Sequence, residues 1–131
     1  KEFSDLLAQG NRFQDLVREN MVSLQSGNDV FTKSLKQAQA EGIKPMIYTH
    51  PLGTFGHGAG PTIGKYDQQK AVPGAGERLV EDQTGYALEL NVAGEVAIWN
   101  NQLVYMYLEE VVWKDGTVEF PAGRQEKLIL I

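Results

Sequence analysis

Along the first forty residues, apolar positions return every three or four steps. Phe3, Leu6 and Leu7 are followed by Phe13, Leu16, Val17 and Leu24, with Asp, Arg and Glu between them, the spacing of one buried face of an α-helix. The pattern predicts a core-facing helix over 3–26. Gly27-Asn28-Asp29 offers a break and a cap. A second helix is predicted over 29–41, carrying Phe31, Leu35 and Ala38 inward and ended by Gly42 and Pro45.

After Pro45 the period changes. Met46-Ile47-Tyr48-Thr49 reads as a short strand, and glycines at 53, 56, 58, 60 and 64 then enforce an irregular loop. Val72-Pro73-Gly74-Ala75-Gly76 marks another turn, and the stretch 65–85 is either a lid or a plain connection. Tyr86-Ala87-Leu88-Glu89-Leu90-Asn91-Val92 alternates as a strand does, and further strands are predicted over 103–113, 117–120 and 127–131. Lys114-Asp115-Gly116 has the composition of a tight hairpin turn. The expected fold is α+β: two N-terminal helices packed on a curved, mostly antiparallel sheet.

At 131 residues the chain is long enough for one domain with a real core and too short for two. Hydrophobic residues make up 42% and charged residues 22%, which places it among globular rather than disordered chains. No apolar run is long enough to cross a bilayer, so no membrane partner is expected. The 17 Asp and Glu outnumber the 12 Lys and Arg, a balance that disfavours a nucleic-acid partner. There is no cysteine, so a metal would be held by oxygen and imidazole donors. A soluble protein is expected, with its compartment open between cytoplasmic and periplasmic or secreted. The chain opens on Lys1, and a native start or leader is expected to have been removed.

Its two histidines, His50 and His57, both fall in the glycine-rich loop. Gly56-His57-Gly58-Ala59-Gly60 would let backbone and ligand approach the imidazole closely. A plain turn histidine is the competing reading. Glu89 and Glu109 each interrupt an apolar, strand-like run. A carboxylate in such surroundings must be paired, protonated, bound to a cation or turned outward. Glu110, beside Glu109, reads as the outward one. Trp99 and Trp113 are candidates for lining a cleft, but large aromatics in a sheet protein more often fill the core, and they are assigned there. Asp5, Asp15, Glu19, Asp29 and Glu41 read as solvated helix faces.

Taken in order, Thr49-His50-Pro51-Leu52-Gly53, Gly56-His57-Gly58-Ala59-Gly60, Ala87-Leu88-Glu89-Leu90, Leu108-Glu109-Glu110-Val111-Val112 and Asp115-Gly116 resemble the pita-bread metallopeptidases. That family includes Xaa-Pro aminopeptidase, prolidase, methionine aminopeptidase and creatinase. The resemblance covers nearly the whole chain and implies the C-terminal part of a pita-bread catalytic domain whose N-terminal part is missing. It implies metal-ligand roles for His57, Glu89 and Glu109, and makes His50 similar to a substrate-side histidine. The cofactors implied are two divalent ions, Mn, Co or Zn, with two aspartate ligands falling before Lys1. Without them, metal binding is expected to be weak or absent.

The activity implied is that of a metal-dependent aminopeptidase or proline dipeptidase-like hydrolase. A metal-activated water attacks the amide, Glu89 or Glu109 relays the proton, and His50 joins them as a catalytic candidate. The substrate implied is a peptide, with or without proline. An inactive pita-bread module that binds peptides or protein partners is the alternative, and a creatinase-like carbon–nitrogen hydrolase ranks third. Two departures bear on these readings. Gly64 stands where the family usually places a further histidine, and Tyr107 stands where many proline-specific members carry an arginine. Arg124 is read as a surface salt bridge. A fragment of this kind is expected to self-associate, or to pair with its missing part, through the surface that part would cover.

Overall fold

The structure, a computed structural model, describes residues 1–130. Its fold is the expected α+β arrangement: two helices followed by a curved, open, antiparallel sheet. Helix α1 spans Glu2–Asn20 and α2 spans Gly27–Ala40. The strands are β1 (Lys44–Ile47), β2 (His50–Gly53), β3 (Gly56–His57), β4 (Thr84–Val96), β5 (Gln102–Asp115) and β6 (Thr117–Glu119). The sheet runs β3-β2-β4-β5-β6, and β1 also pairs with β4.

Helix α1 is held by its apolar stripe. Leu6, Leu7, Phe13, Leu16 and Val17 are buried against the sheet, and Gly10 lets the helix lie close on it. A Cβ at Gly10 would come within 2.5 Å of the Leu108 side chain. The helix ends at Asn20 rather than at residue 26 as expected. The Asn20 amide donates to the Leu16 carbonyl at 2.8 Å and to Gln37 Oε1 at 2.6 Å, tying this end to α2. Leu24, assigned to the helix stripe, lies in the connection with φ 71° and is 74% exposed. Its backbone pairs instead with Val80, where Leu24 N–H donates to the Val80 carbonyl at 3.0 Å.

The cap of α2 is Ser26, one residue before the expected break. Its hydroxyl accepts from Asp29 N–H while the Asp29 carboxylate accepts from Ser26 N–H, a capping box. The end of α2 agrees with the expectation, since Gly42 follows at φ 77°.

Strands β4 and β5 pair over thirteen positions, from Thr84 opposite Lys114 to Val96 opposite Gln102. Side chains alternate across the sheet. Tyr86, Leu88, Leu90 and Val92 of β4, with Leu108 and Val112 of β5, are buried on the face that carries the helices. Glu89 and Glu109 fall on the other face. The expected strand at 46–49 is two strands, since the chain leaves the ladder at Tyr48 and re-enters at His50. Residues 127–130 form no strand, and Ile131, the last of that expected element, lies outside the described residues. Residues 65–83 are a pinned connection rather than a free lid. Asn28 Oδ1 accepts from Val72 N–H at 2.8 Å, and the Gln69 side chain both accepts from Ile47 N–H and donates to its carbonyl. Among the described residues, no helix is long and apolar enough to cross a membrane.

Trp99 and Trp113 are not core. Trp99 is 51% exposed and packs edge-on to Phe3, with ring centroids 5.0 Å apart. Trp113 is 44% exposed on the sheet face opposite the helices, because its register places it with the odd positions of β5.

Candidate functional site

The site grows from the pairing register. Glu89 sits directly opposite Glu109 across β4 and β5, so two carboxylates share one spot on the open face. Burial first, then the Glu109 charge, push the Glu89 carboxyl above its ordinary range, and His50 only partly opposes this. The backbone beneath Glu89 is fixed by Thr49, whose hydroxyl donates to the Glu89 carbonyl and accepts from Glu89 N–H, both at 3.1 Å.

Strand β2 brings His50 to the same spot, since His50 pairs with Ala87, two residues before Glu89. Its Nε2 lies 3.6 Å from Glu89 Oε2, too long for a direct hydrogen bond. Its Nδ1 lies 2.9 Å from the Pro51 carbonyl. A carbonyl only accepts, so Nδ1 carries the proton, and in the neutral ring Nε2 turns a lone pair toward the carboxylate. His57, on the edge strand β3, is exposed and stacks on His50 with centroids 3.8 Å apart and planes 23° apart. The glycine-rich loop therefore does bring both histidines to the sheet face. His50, not the expected metal ligand His57, is the one beside Glu89.

Glu110, expected to be the outward one of the two, instead turns to the helix-covered face and is half-buried, while Glu109 is exposed on the open face. Glu110 Oε1 accepts from Gln125 N–H at 2.9 Å. Arg124 makes the expected ion pair, to Asp15 at 2.8 Å, and its guanidinium lies 5.3 Å from the Phe120 ring centroid. Asp15 is thereby an ion-pair partner rather than part of a solvated face, as is Glu41, paired with Arg12 at 2.7 Å. Gly64 has φ 69°, and a Cβ there would come within 2.3 Å of the Ile47 carbonyl oxygen and 2.8 Å of the Phe31 ring. This backbone has no room for a histidine at that position.

Around the cluster lies a cavity of about 290 Å³ lined in part by Tyr48, His50, Tyr66, Asp67 and Glu89. Tyr48 and Tyr66 meet edge to face, with centroids 5.4 Å apart and an interplanar angle of 82°. Burial, chiefly, pushes the Tyr48 phenol up. The Tyr66 hydroxyl does the same to Tyr107, whose ring lies 6.4 Å from that of Tyr105. The sequence reading missed Tyr48, Tyr66 and Tyr105 here and named Tyr107 only as a departure from the family pattern. Tyr105 and Tyr107 share the alternation of Glu109, so a signal for them was present, whereas Tyr66 arrives from a loop. Among the described residues, no three His, Cys, Asp or Glu side chains are grouped so as to hold a metal ion.

Comparison with known proteins adds little. No family model matches the chain, and no solved structure matches it. Among curated proteins, an acetylglutamate kinase of Oleidesulfovibrio alaskensis is 34% identical over 95 residues, which is 70% of this chain and 31% of that protein. The chain thus spans less than a third of the curated relative it matches. A kinase relation does not fit a metal-dependent aminopeptidase or proline dipeptidase. That functional expectation, together with the inactive peptide-binding module offered as its alternative, is corrected by this finding.

Proposed function

We propose that this domain binds a divalent cation on the open face of its sheet, between Glu89 and Glu109, with His50 as the neighbouring nitrogen donor. One observation carries the reading: two carboxylates stand opposite each other across β4 and β5, with the His50 imidazole 3.6 Å from one of them and, among the described residues, no lysine or arginine paired with either. Facing acceptors of this kind repel one another unless a proton or a cation lies between them. Oxygen and nitrogen donors without sulfur suit Mn²⁺, Co²⁺ or Zn²⁺. As they stand the three side chains are not grouped as a ready ligand set, so the proposal has them close on one weakly bound ion, its remaining positions filled by water or by donors from outside the described residues. They do not supply a full ligand set for two. His57, stacked on His50, holds that ring in place. The resemblance to the pita-bread family is kept as a proposal about fold and ligand positions alone.

Among the described residues, a share in phosphoryl transfer, which the kinase relative would suggest, has no usual phosphate cradle to rest on. Such a cradle is a glycine-rich loop opening onto a helix N-terminus. The loop over 53–64 instead joins strands, and α1 and α2 begin at Glu2 and Gly27, well before it.

Calorimetric titration of Mn²⁺ and Zn²⁺ into the chain tests the proposal. Saturable binding is expected, abolished in Glu89→Ala and weakened in His50→Ala. Heats that do not change in Glu89→Ala would sink it.

A further inference from the structure

We propose that the cavity beside the carboxylate pair, walled by Tyr48, Tyr66 and Glu89, binds a small organic ammonium. The ligand class is set by three features of the walls. Tyr48 and Tyr66 stand nearly perpendicular, at 82°, with centroids 5.4 Å apart, which makes two adjoining sides of an aromatic corner. Aromatic faces carry negative quadrupole potential and attract a cation lying within about 6 Å. The lining then adds two carboxylates, Glu89 and Asp67, against one ammonium, Lys65, with His50 and His57 beside them, so with neutral imidazoles the corner is acidic on balance.

Size is the third feature. At about 290 Å³ the cavity lies at the small end of ligand sites. It suits an alkylammonium headgroup and excludes a long peptide. A methylated ammonium holds its water weakly and presents carbon to the rings, so it loses little on entering the corner that Tyr48 and Tyr66 make. A hard metal ion has no such preference for ring faces. The proposal does not rest on the divalent-cation reading, although Glu89 borders both sites.

Choline is the probe, and 3,3-dimethyl-1-butanol is its uncharged isostere. In the full chain, freed of divalent ions, saturable choline binding by NMR titration is expected, with the isostere binding at least about ten-fold more weakly. Tyr66→Ala should weaken choline by roughly three- to thirty-fold, the range of a single cation–π contact, while Tyr66→Phe should keep it. Tyr66 is 60% exposed, so both variants should fold, which circular dichroism checks. Equal binding of the isostere, indifference to Tyr66→Ala, or no choline binding would each overturn the proposal. Mn²⁺ binding is expected to survive Tyr66→Ala, so loss of one site is told apart from loss of the other.

Discussion

The two faces of the β4–β5 ladder are made by alternate residues of the same strands, yet they are built for different work. On the helix side, Leu88, Leu90, Val92, Leu108 and Val112 are at most 4% exposed. On the other side, Leu103, Tyr105, Tyr107, Val111 and Trp113 of β5 are 42–54% exposed around Glu109, while Ala87 and Asn91, which flank Glu89 on β4, are 5% and 1% exposed. One face holds the fold together. The β5 side of the other is free to carry charge and aromatic surface because it is not needed for that.

The largest effect should come from cutting the buried face. Leu88→Ala removes a fully buried side chain and is expected to cost about 3 kcal/mol by urea unfolding. Val111→Ala, on the open face, should cost less than about 1 kcal/mol. Equal costs would break the distinction. They would mean that the open face is packed in solution, as it would be if a second copy of the chain covered it.

Lys114 sharpens the comparison, because it is a charged side chain that the covered face has fully buried. Its ammonium donates to Ser23 Oγ at 3.0 Å, to the Gly116 carbonyl at 3.1 Å and to the Asp82 carboxylate, so every proton has a partner. These bonds tie the α1–α2 connection to the β5–β6 turn. The Lys114 hydrogen bond, followed by Gly116 N–H, holds the Asp82 carboxyl below its ordinary range. A depressed carboxyl contributes stability that is present above its unfolded pKa and is lost as pH falls through the folded one. Lys114→Met should therefore lower the urea midpoint at neutral pH, by less than Leu88→Ala, and flatten the loss of stability below about pH 4. An unchanged acid limb would remove this ion pair from the stability of the fold.

What could be read from the sequence follows from periodicity. The helix stripe through Leu6, Phe13 and Val17, the end of α2 at Gly42 and the strand through Tyr86–Val92 rest on patterns local to a few turns or pleats, and these appear as expected. Leu24 misled because it continues the stripe in spacing, while the exit of the chain at Asn20 depends on a contact with Gln37 in another helix. Trp113 misled because hydrophobicity says nothing about which face of a two-faced strand a residue takes. Glu89 and Glu109 were singled out because each interrupts an apolar run; Glu89 is half-buried and Glu109 exposed, and that they stand opposite each other is a matter of register. Register depends on where a hairpin turns, here through Asn100 and Asn101, both at positive φ. The Tyr48–Tyr66 corner joins a strand end to a distant loop, and no local spacing encodes that.

The smallest effect tests the open face directly. Glu89 titrates above its ordinary range because it is partly buried and faces Glu109. A raised carboxyl binds its proton more tightly in the folded state. Its contribution to stability is therefore full below the unfolded pKa and lost as pH rises through the folded one. At neutral pH, without a cation, the facing pair should thus be a small liability, and like charges directly opposite in a sheet cost roughly 0.2–1 kcal/mol. Glu109→Gln should raise the melting temperature of the metal-free chain slightly at neutral pH and leave it unchanged in acid, where Glu89 already holds its proton. Saturating Mn²⁺ should reverse the order, stabilising the wild type and not the variant. A variant no more stable than wild type at neutral pH would show that the two carboxylates do not feel each other. The open face would then lose the feature that makes it a cation site.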